Sequence, residues 1–359
     1  MSPVSKVAFF LTGHGFGHGV RNSAVINALP PSVEVSLFTS LPESFFREEL
    51  RRPYRLVPCE IDCGCVQHDA IDVDVEATLE RYRALDARRG ESVERFAKAL
   101  VETGAELVIG DVPPLAFPIA SAAGVPSWAV YNFTWTDIYR PYVEERPRYR
   151  DMLLRMEADY ALAGRHIRLY PGLESPVPGP VEQAGLLCRP GRPRRLEFAA
   201  KFGLDPGKRW ALVYVGSHGL DGISWRDLDL HAGWEFMGLY PLEGAPANYH
   251  VLAKDASFGY ADLTASCDLV LGKLGYGLVA ECLALGKPIL FTGRTGFMEF
   301  PLLKEVVEGR GMGLELPLER LKALDFREEL EVLAGGGHLP MEATGLAYIL
   351  GKMGYPGLA

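Results

Sequence analysis

The segment Gly13-His-Gly-Phe-Gly-His-Gly-Val-Arg21 limits the folds open to this chain more than any other stretch. It follows a short apolar run, Val7 to Leu11, and leads into a helical pattern from Arg21 to Leu29 that Pro30-Pro31 stops. An apolar run without polar alternation suits a strand covered on both faces. A glycine turn out of such a strand into a helix opens a parallel β-turn-α unit. The glycines let backbone approach a ligand closely, and the helix start offers free N–H groups. The spacing is neither the G-x-G-x-x-G of a dinucleotide site nor a Walker A loop.

The alternation continues. Val33 to Phe38 reads as a strand, Glu106 to Ile109 as a strand ending at Gly110-Asp111, and Ser127 to Tyr131 as another. Glu76 to Thr103 predicts one long, partly exposed helix, and Leu115 to Ala123 a helix closed by Gly124. Arg189-Pro-Gly-Arg-Pro-Arg-Arg195 has linker composition, its arginines read as solvated. Beyond it come strands at Trp210–Val215, Tyr249–Leu252, Leu269–Leu271 and Pro288–Phe291, with a helix over Gly277–Leu285. The expectation is an α/β chain of two doubly wound Rossmann-like domains facing a central cleft. Residues 1–188 form the first and 189–340 the second, and a helix in 341–359 packs back on the first. Ligands of such sheets sit beyond the carboxyl ends of the strands.

Composition removes several function classes. With 37 Lys and Arg against 46 Asp and Glu, a net charge of −9 argues against a general nucleic-acid binder, which needs a basic face. No apolar run reaches the ~20 residues of a membrane span, and the N-terminus has no signal-peptide pattern, so a cytoplasmic protein is expected. Six cysteines in 359 residues do not make a disulfide framework.

Two places carry the chemistry. His18 lies where a side chain points into the cleft, and a histidine there suits a general base near neutral pH. Asp111, at the end of a neighbouring strand, either accepts from that imidazole or caps the turn Asp-Val-Pro-Pro. In the second half, Gly272-Lys-Leu-Gly275-Tyr-Gly277 opens a helix whose N–H groups suit a diphosphate, and Glu281, one turn on, suits ribose hydroxyls. Asp72-Val-Asp74 reads as helix-start charge rather than a metal-nucleotide motif. Cys59, Cys63, Cys65 and His68 lack paired zinc-knuckle spacing, so no metal site is expected. The aromatic and basic residues from Phe45 to Arg55 read as an amphipathic surface helix, with peripheral contact to a membrane or an anionic acceptor as the alternative.

Three stretches together resemble a glycosyltransferase of the two-Rossmann-domain, GT-B type: Thr12 to Arg21; Gly110-Asp-Val-Pro-Pro with Tyr131-Asn-Phe-Thr-Trp-Thr-Asp-Ile-Tyr139; and Ala265 to Glu281. The likeness is greatest to the glycosyltransferase-like N-terminal domain of plant L-arabinokinases and its bacterial stand-alone relatives. It does not imply the sugar kinase activity of the plant enzymes. Plant UDP-dependent glycosyltransferases carry a base histidine and a partner aspartate where His18 and Asp111 stand. Their donor turn corresponds to Gly275–Glu281, with Tyr276-Gly277 in place of Trp-Asn. Glu299 is the nearest match to their donor-sugar acid, one position displaced and with no glutamine after it.

The resemblance implies metal-independent transfer of a sugar, with inversion, from a nucleotide sugar to an acceptor hydroxyl. A UDP-sugar is the expected donor, as substrate and with no separate cofactor. Gly17, Ser217, Lys273, Gly275, Tyr276, Gly277, Glu281 and Glu299 are the implied donor contacts. His14, Arg21, Asn132 and Trp135 are the implied acceptor-side residues. His18 to Arg21 also resembles the G-H-x-x-R of a nucleotide-sugar hydrolase in pseudaminic acid synthesis, which makes hydrolysis the first alternative. A non-catalytic nucleotide-sugar-binding domain is the second.

Overall fold

The computed structural model describes residues 3–67, 73–214, 223, 225–252 and 257–358. Among them lie two parallel sheets. The first contains β1 (Lys6–Leu11), β2 (Glu34–Thr39), β3 (Arg55–Pro58), β4 (Leu107–Asp111), β5 (Ser127–Tyr131), β6 (Arg165–Leu169) and β7 (Val181–Ala184), in the spatial order 3-2-1-4-5-6-7. The second contains β8 (Arg209–Tyr214), β9 (Trp234–Gly238), β10 (Tyr249–Val251), β11 (Leu269–Gly272), β12 (Ile289–Phe291) and β13 (Gly313–Glu315), in the order 10-9-8-11-12-13. The expected pair of doubly wound units is therefore present.

The apolar runs form central strands because both their faces are buried. Val7, Phe9 and Leu11 point to a layer that includes Val25, Ile26, Ile349 and Leu350, whereas Ala8 and Phe10 face Phe96, Leu100 and Ile119. Burying each large side chain there contributes roughly 1.5–3 kcal/mol. The first layer is continuous with the second half through Leu186, Leu187 and Cys188 to Trp210, Tyr276 and Val279, so the two sheets share core. The C-terminal helix Gly345–Lys352 returns to the first sheet, where Val4 N–H donates to Met353 O at 3.1 Å and Tyr348 Oη to Glu182 Oε2 at 2.6 Å.

In both sheets the strand order reverses beside the first strand, between β1 and β4 and between β8 and β11. Loops leaving neighbouring strands diverge at such a point and leave a crevice. The Gly13–Gly15 turn and Asp111 stand at the first reversal, and the Lys273–Gly275 turn at the second.

Two helices differ from expectation. The long helix over 76–103 is two, Val75–Ala87 and Arg89–Val101, broken at Arg88 (φ −101°, ψ 11°). The break lets Arg89 form a two-pronged ion pair with buried Asp159, a tertiary contact that leaves no mark in local periodicity. The first helix begins at Phe16 rather than Arg21. Gly15 precedes it at φ +82°, a conformation that disfavours side-chain-bearing residues.

Candidate functional site

The early start of the first helix places His18, Arg21 and Asn22 at i, i+3 and i+4, on one face. That face meets the end of β4, where Asp111 is paired in register with Leu11. Four donors converge on the Asp111 carboxylate. His18 Nδ1 lies 3.1 Å from Oδ1, Arg21 Nε donates to Oδ2 at 2.7 Å, and Arg21 Nη2 and Asn22 Nδ2 donate as well. Asp111 is thus not the cap of its own turn. Val112, next in the chain, holds φ +80°, a strained geometry for a β-branched residue, and its carbonyl accepts from Tyr160 Oη.

Asp111 and Arg21 are each 1% exposed and His18 8%. Burial alone opposes ionisation of the carboxyl, but the Arg21 cation and then His18 override it and hold Asp111 well below the usual carboxylate range. For His18 burial again comes first. The Arg21 charge adds to it, Asp111 opposes both, and the net shift is downward. The surroundings of His18 therefore favour the neutral imidazole, with Nδ1 facing Asp111. Arg21 Nη2 comes within 3.1 Å of the same Nδ1, so this histidine is less basic than one paired with an aspartate alone.

Arg21 also ties the two halves together. It donates to Asn132 Oδ1 at 2.5 Å, and Asn132 Nδ2 donates to Glu299 Oε1 of the second half at 2.5 Å. The Arg21 guanidinium lies 4.8 Å above the Tyr276 ring. Tyr276 Oη accepts from Leu187 N–H and donates to Tyr170 O, both at 3.1 Å. Tyr276 and Glu299, implied as donor contacts, are here held in contact across the cleft.

The two glycine turns face each other. A side-chain carbon at Gly277 would stand 3.8 Å from Gly17 Cα, whereas the same addition at Gly17 or Gly275 meets nothing within 4 Å. The helices they open, Phe16–Ala28 and Tyr276–Leu285, have Gly15 and Gly275 as N-caps and no side-chain cap. Lys273 precedes the second helix start. Burial, with Arg294 adding to it, pushes its ammonium down to about 8. Arg294 is pushed down to about 10, chiefly by burial, and donates to Leu274 O at 3.3 Å.

Glu281 is buried, and its Oε1 accepts from Arg189 Nε at 2.9 Å. Arg189 Nη1 donates to Glu49 Oε2 at 3.0 Å. Arg189 is thus no solvated linker residue but the centre of a part-buried Glu-Arg-Glu bridge between the halves. Arg195 likewise pairs with Asp268 at 3.0 Å and covers the Trp210 ring. Linker composition hid both, because a paired arginine and a solvated one look alike until their partners are placed.

Of the residues implied for the acceptor side, His14 has Nδ1 accepting from Cys65 N–H at 3.3 Å, and its ring meets Trp135 edge-on at 5.4 Å. Burial first, then His18, Arg294 and Lys273, hold His14 down to about 3. Trp135 is buried and its indole N–H donates to Asp62 Oδ2 at 2.8 Å. Burial pushes Asp62 up to about 6 against the donors Thr12, Trp135 and Gly13. The sequence reading passed over Asn22, Asp62 and Arg294. Of these only Asn22 had a signal, its i+4 spacing from His18.

Ser217, His68 and Asp72 lie outside the described residues. Asp74 is the N-cap of Val75–Ala87, accepting from Ala77 N–H at 2.9 Å. Among the described residues no group of three or more His, Cys, Asp or Glu is arranged to hold a metal, and no helix is long and apolar enough to cross a membrane. Phe46 is buried, and Arg52 donates to the carbonyls of Ile26, Leu29, Pro30 and Val33 at the end of the first helix.

Solved structures carry the same paired architecture across nearly the whole chain. The spinosyn forosaminyltransferase SpnP matches with a TM-score of 0.63 at 15% identity, covering 100% of this chain and 96% of that one. Phytolacca americana UGT2, solved with UDP-2-fluoro-glucose and pterostilbene, matches with a TM-score of 0.59 at 12% identity, covering 97% and 99%. The chain adopts the GT-B fold of glycosyltransferases. In sequence, this GT-B chain is 32% identical to L-arabinokinase of Arabidopsis thaliana over 315 residues, 86% of its own length. It spans about three-tenths (30%) of that relative. No protein-family model matches it.

Proposed function

We propose that this chain is a nucleotide-sugar glycosyltransferase. The observation that carries the reading is the meeting of the two loops: a histidine backed by a buried aspartate stands opposite an uncapped helix start flanked by a lysine that has no ion pair among the described residues. The first is a base poised for a hydroxyl proton, and the second a cradle for a diphosphate. In this reading His18 Nε2 takes the proton as the acceptor oxygen attacks the anomeric carbon. The bond from that carbon to the diphosphate oxygen breaks, and a single displacement inverts the centre. Asp111 offsets the charge that develops on the imidazole. The helix N-terminus at Gly275 and Lys273 offset the charge released on the diphosphate. Glu281 takes the ribose while sharing its carboxylate with Arg189.

A thermal-shift series with UDP, GDP, dTDP and CDP tests the donor half. UDP at 100 times its Kd is expected to stabilise the chain by about 2.7 kcal/mol. No shift with any of the four rejects the reading. Lys273→Ala and Glu281→Gln are each expected to weaken UDP binding by roughly 1.5–3 kcal/mol, measured by titration calorimetry. Unchanged affinity in both would move the donor site elsewhere.

Because side chains and backbone N–H groups carry the charge stabilisation, turnover is expected to survive a strong chelator. Loss of turnover that manganese or magnesium restores would return Asp72 and Asp74 to consideration. Release of free sugar at full rate with no acceptor present would identify a hydrolase, with water in place of the acceptor hydroxyl.

A further inference from the structure

The loops that follow β1, β2 and β3, with Arg81 of the helix Val75–Ala87, border an open cavity of about 230 Å³, lined among others by Gly13, His14, Ser40, Glu60 and Asp62. Among the described residues that line it, none is aliphatic and none is Phe, Tyr or Trp. Its near wall is the Gly13–Gly15 turn, which runs directly into the helix that carries His18. We propose that this cavity seats the acceptor, and that the acceptor is a small polyhydroxylated molecule of monosaccharide size rather than an aromatic aglycone. The inference rests on the glycosyl-transfer reading and names the substrate class of that site.

The chemistry of the lining selects such a ligand. A carboxylate accepts from two neighbouring hydroxyls at once, an arginine donates to hydroxyl and ring oxygens, and a serine does both. Glu60 and Arg81 form a half-exposed pair at 3.3 Å, and Ser40 is exposed on the facing loop. Asp62 is fixed at its place in the lining by the Trp135 N–H at 2.8 Å. An aromatic ring here would strip water from these charged groups and return no hydrogen bonds, which is costly. The volume points the same way, since sites for drug-sized ligands span roughly 300–1,000 Å³.

Titration calorimetry and saturation-transfer NMR on the full chain test this. The probes are D-glucose, L-arabinose, myo-inositol and, as the aromatic contrast, resorcinol. At least one of the three polyols is expected to bind saturably, and resorcinol not to bind. Glu60→Gln and Arg81→Ala are each expected to weaken polyol binding about tenfold. Both change exposed side chains, so the fold should be retained, as a thermal melt will verify. Binding by none of the polyols, binding indifferent to both variants, or preference for resorcinol overturns the inference. UDP titrated separately keeps the two readings apart. Polyol binding in this cavity without nucleotide binding would leave the cavity assignment standing and remove the donor site.

Discussion

Replacing His18 by alanine is expected to lower kcat by roughly 10²–10⁴-fold while leaving nucleotide affinity nearly unchanged. The base and the diphosphate cradle sit on different halves of the chain, so loss of one leaves the other formed. His14→Ala is the internal control. That ring, held at a pKa of about 3 with Nδ1 occupied by the Cys65 N–H, is a poor base and should matter less. Asp111→Asn should also lower kcat, but it carries a second effect that a simple dyad would not have. Arg21 loses its buried counter-charge, so stability falls with activity. Kinetics on the Asp111 variant therefore need a temperature at which it remains folded. The kcat losses should not multiply in the double mutant, because one unit is disabled. Full turnover by His18→Ala with a strong defect in His14→Ala would reassign the base.

Replacing Arg21 is expected to have the largest effect on stability. Its guanidinium is 1% exposed, bonds Asp111 and Asn132, and lies over Tyr276. Arg21→Ala leaves the Asp111 carboxylate buried without its main partner, at a cost of roughly 3–5 kcal/mol. Denaturant unfolding followed separately in the two halves would read this loss.

The same change has a pH signature with a definite sign. With Arg21 present, the His18 pKa lies below the ordinary 6.5, so the neutral base persists into mild acid and the acid limb of kcat/KM falls below pH 6.5. Without the cation, burial alone opposes the stabilisation of the imidazolium by Asp111, and the limb moves up. NMR titration of the His18 ring reads this shift directly and needs no substrate. An unmoved or lowered His18 pKa in Arg21→Ala would show that Arg21 is only structural.

How much of this was legible in the amino-acid order depends on the range of the interaction. Central strands β1, β4 and β8 were readable because a strand covered on both faces must be apolar throughout, and that rule acts within a few residues. Strands β3 and β6 were not. Arg55-Leu-Val-Pro58 and Arg165-His-Ile-Arg-Leu169 carry charge because they lie away from the sheet centre or pair outward, as Arg165 does with Glu182. The two glycine turns marked the places where a ligand can approach backbone. Nothing local said that they would face each other across the cleft, close enough that a side-chain carbon added at Gly277 would stand 3.8 Å from Gly17 Cα.

The division is clearest at Arg21, Arg189 and Asp111. Their residue types are visible in the chain, and the helical spacing of His18 and Arg21 follows from the 3.6-residue period once the helix start is placed. Whether each charge is solvated, catalytic or a strut between the halves depends on partners 90 to 111 residues away for Arg21 and 92 or 140 for Arg189. Short-range pattern reports which backbone a segment prefers. The burial and pairing of a charge are properties of two segments together, and they exist only after the sheets have brought those segments into contact.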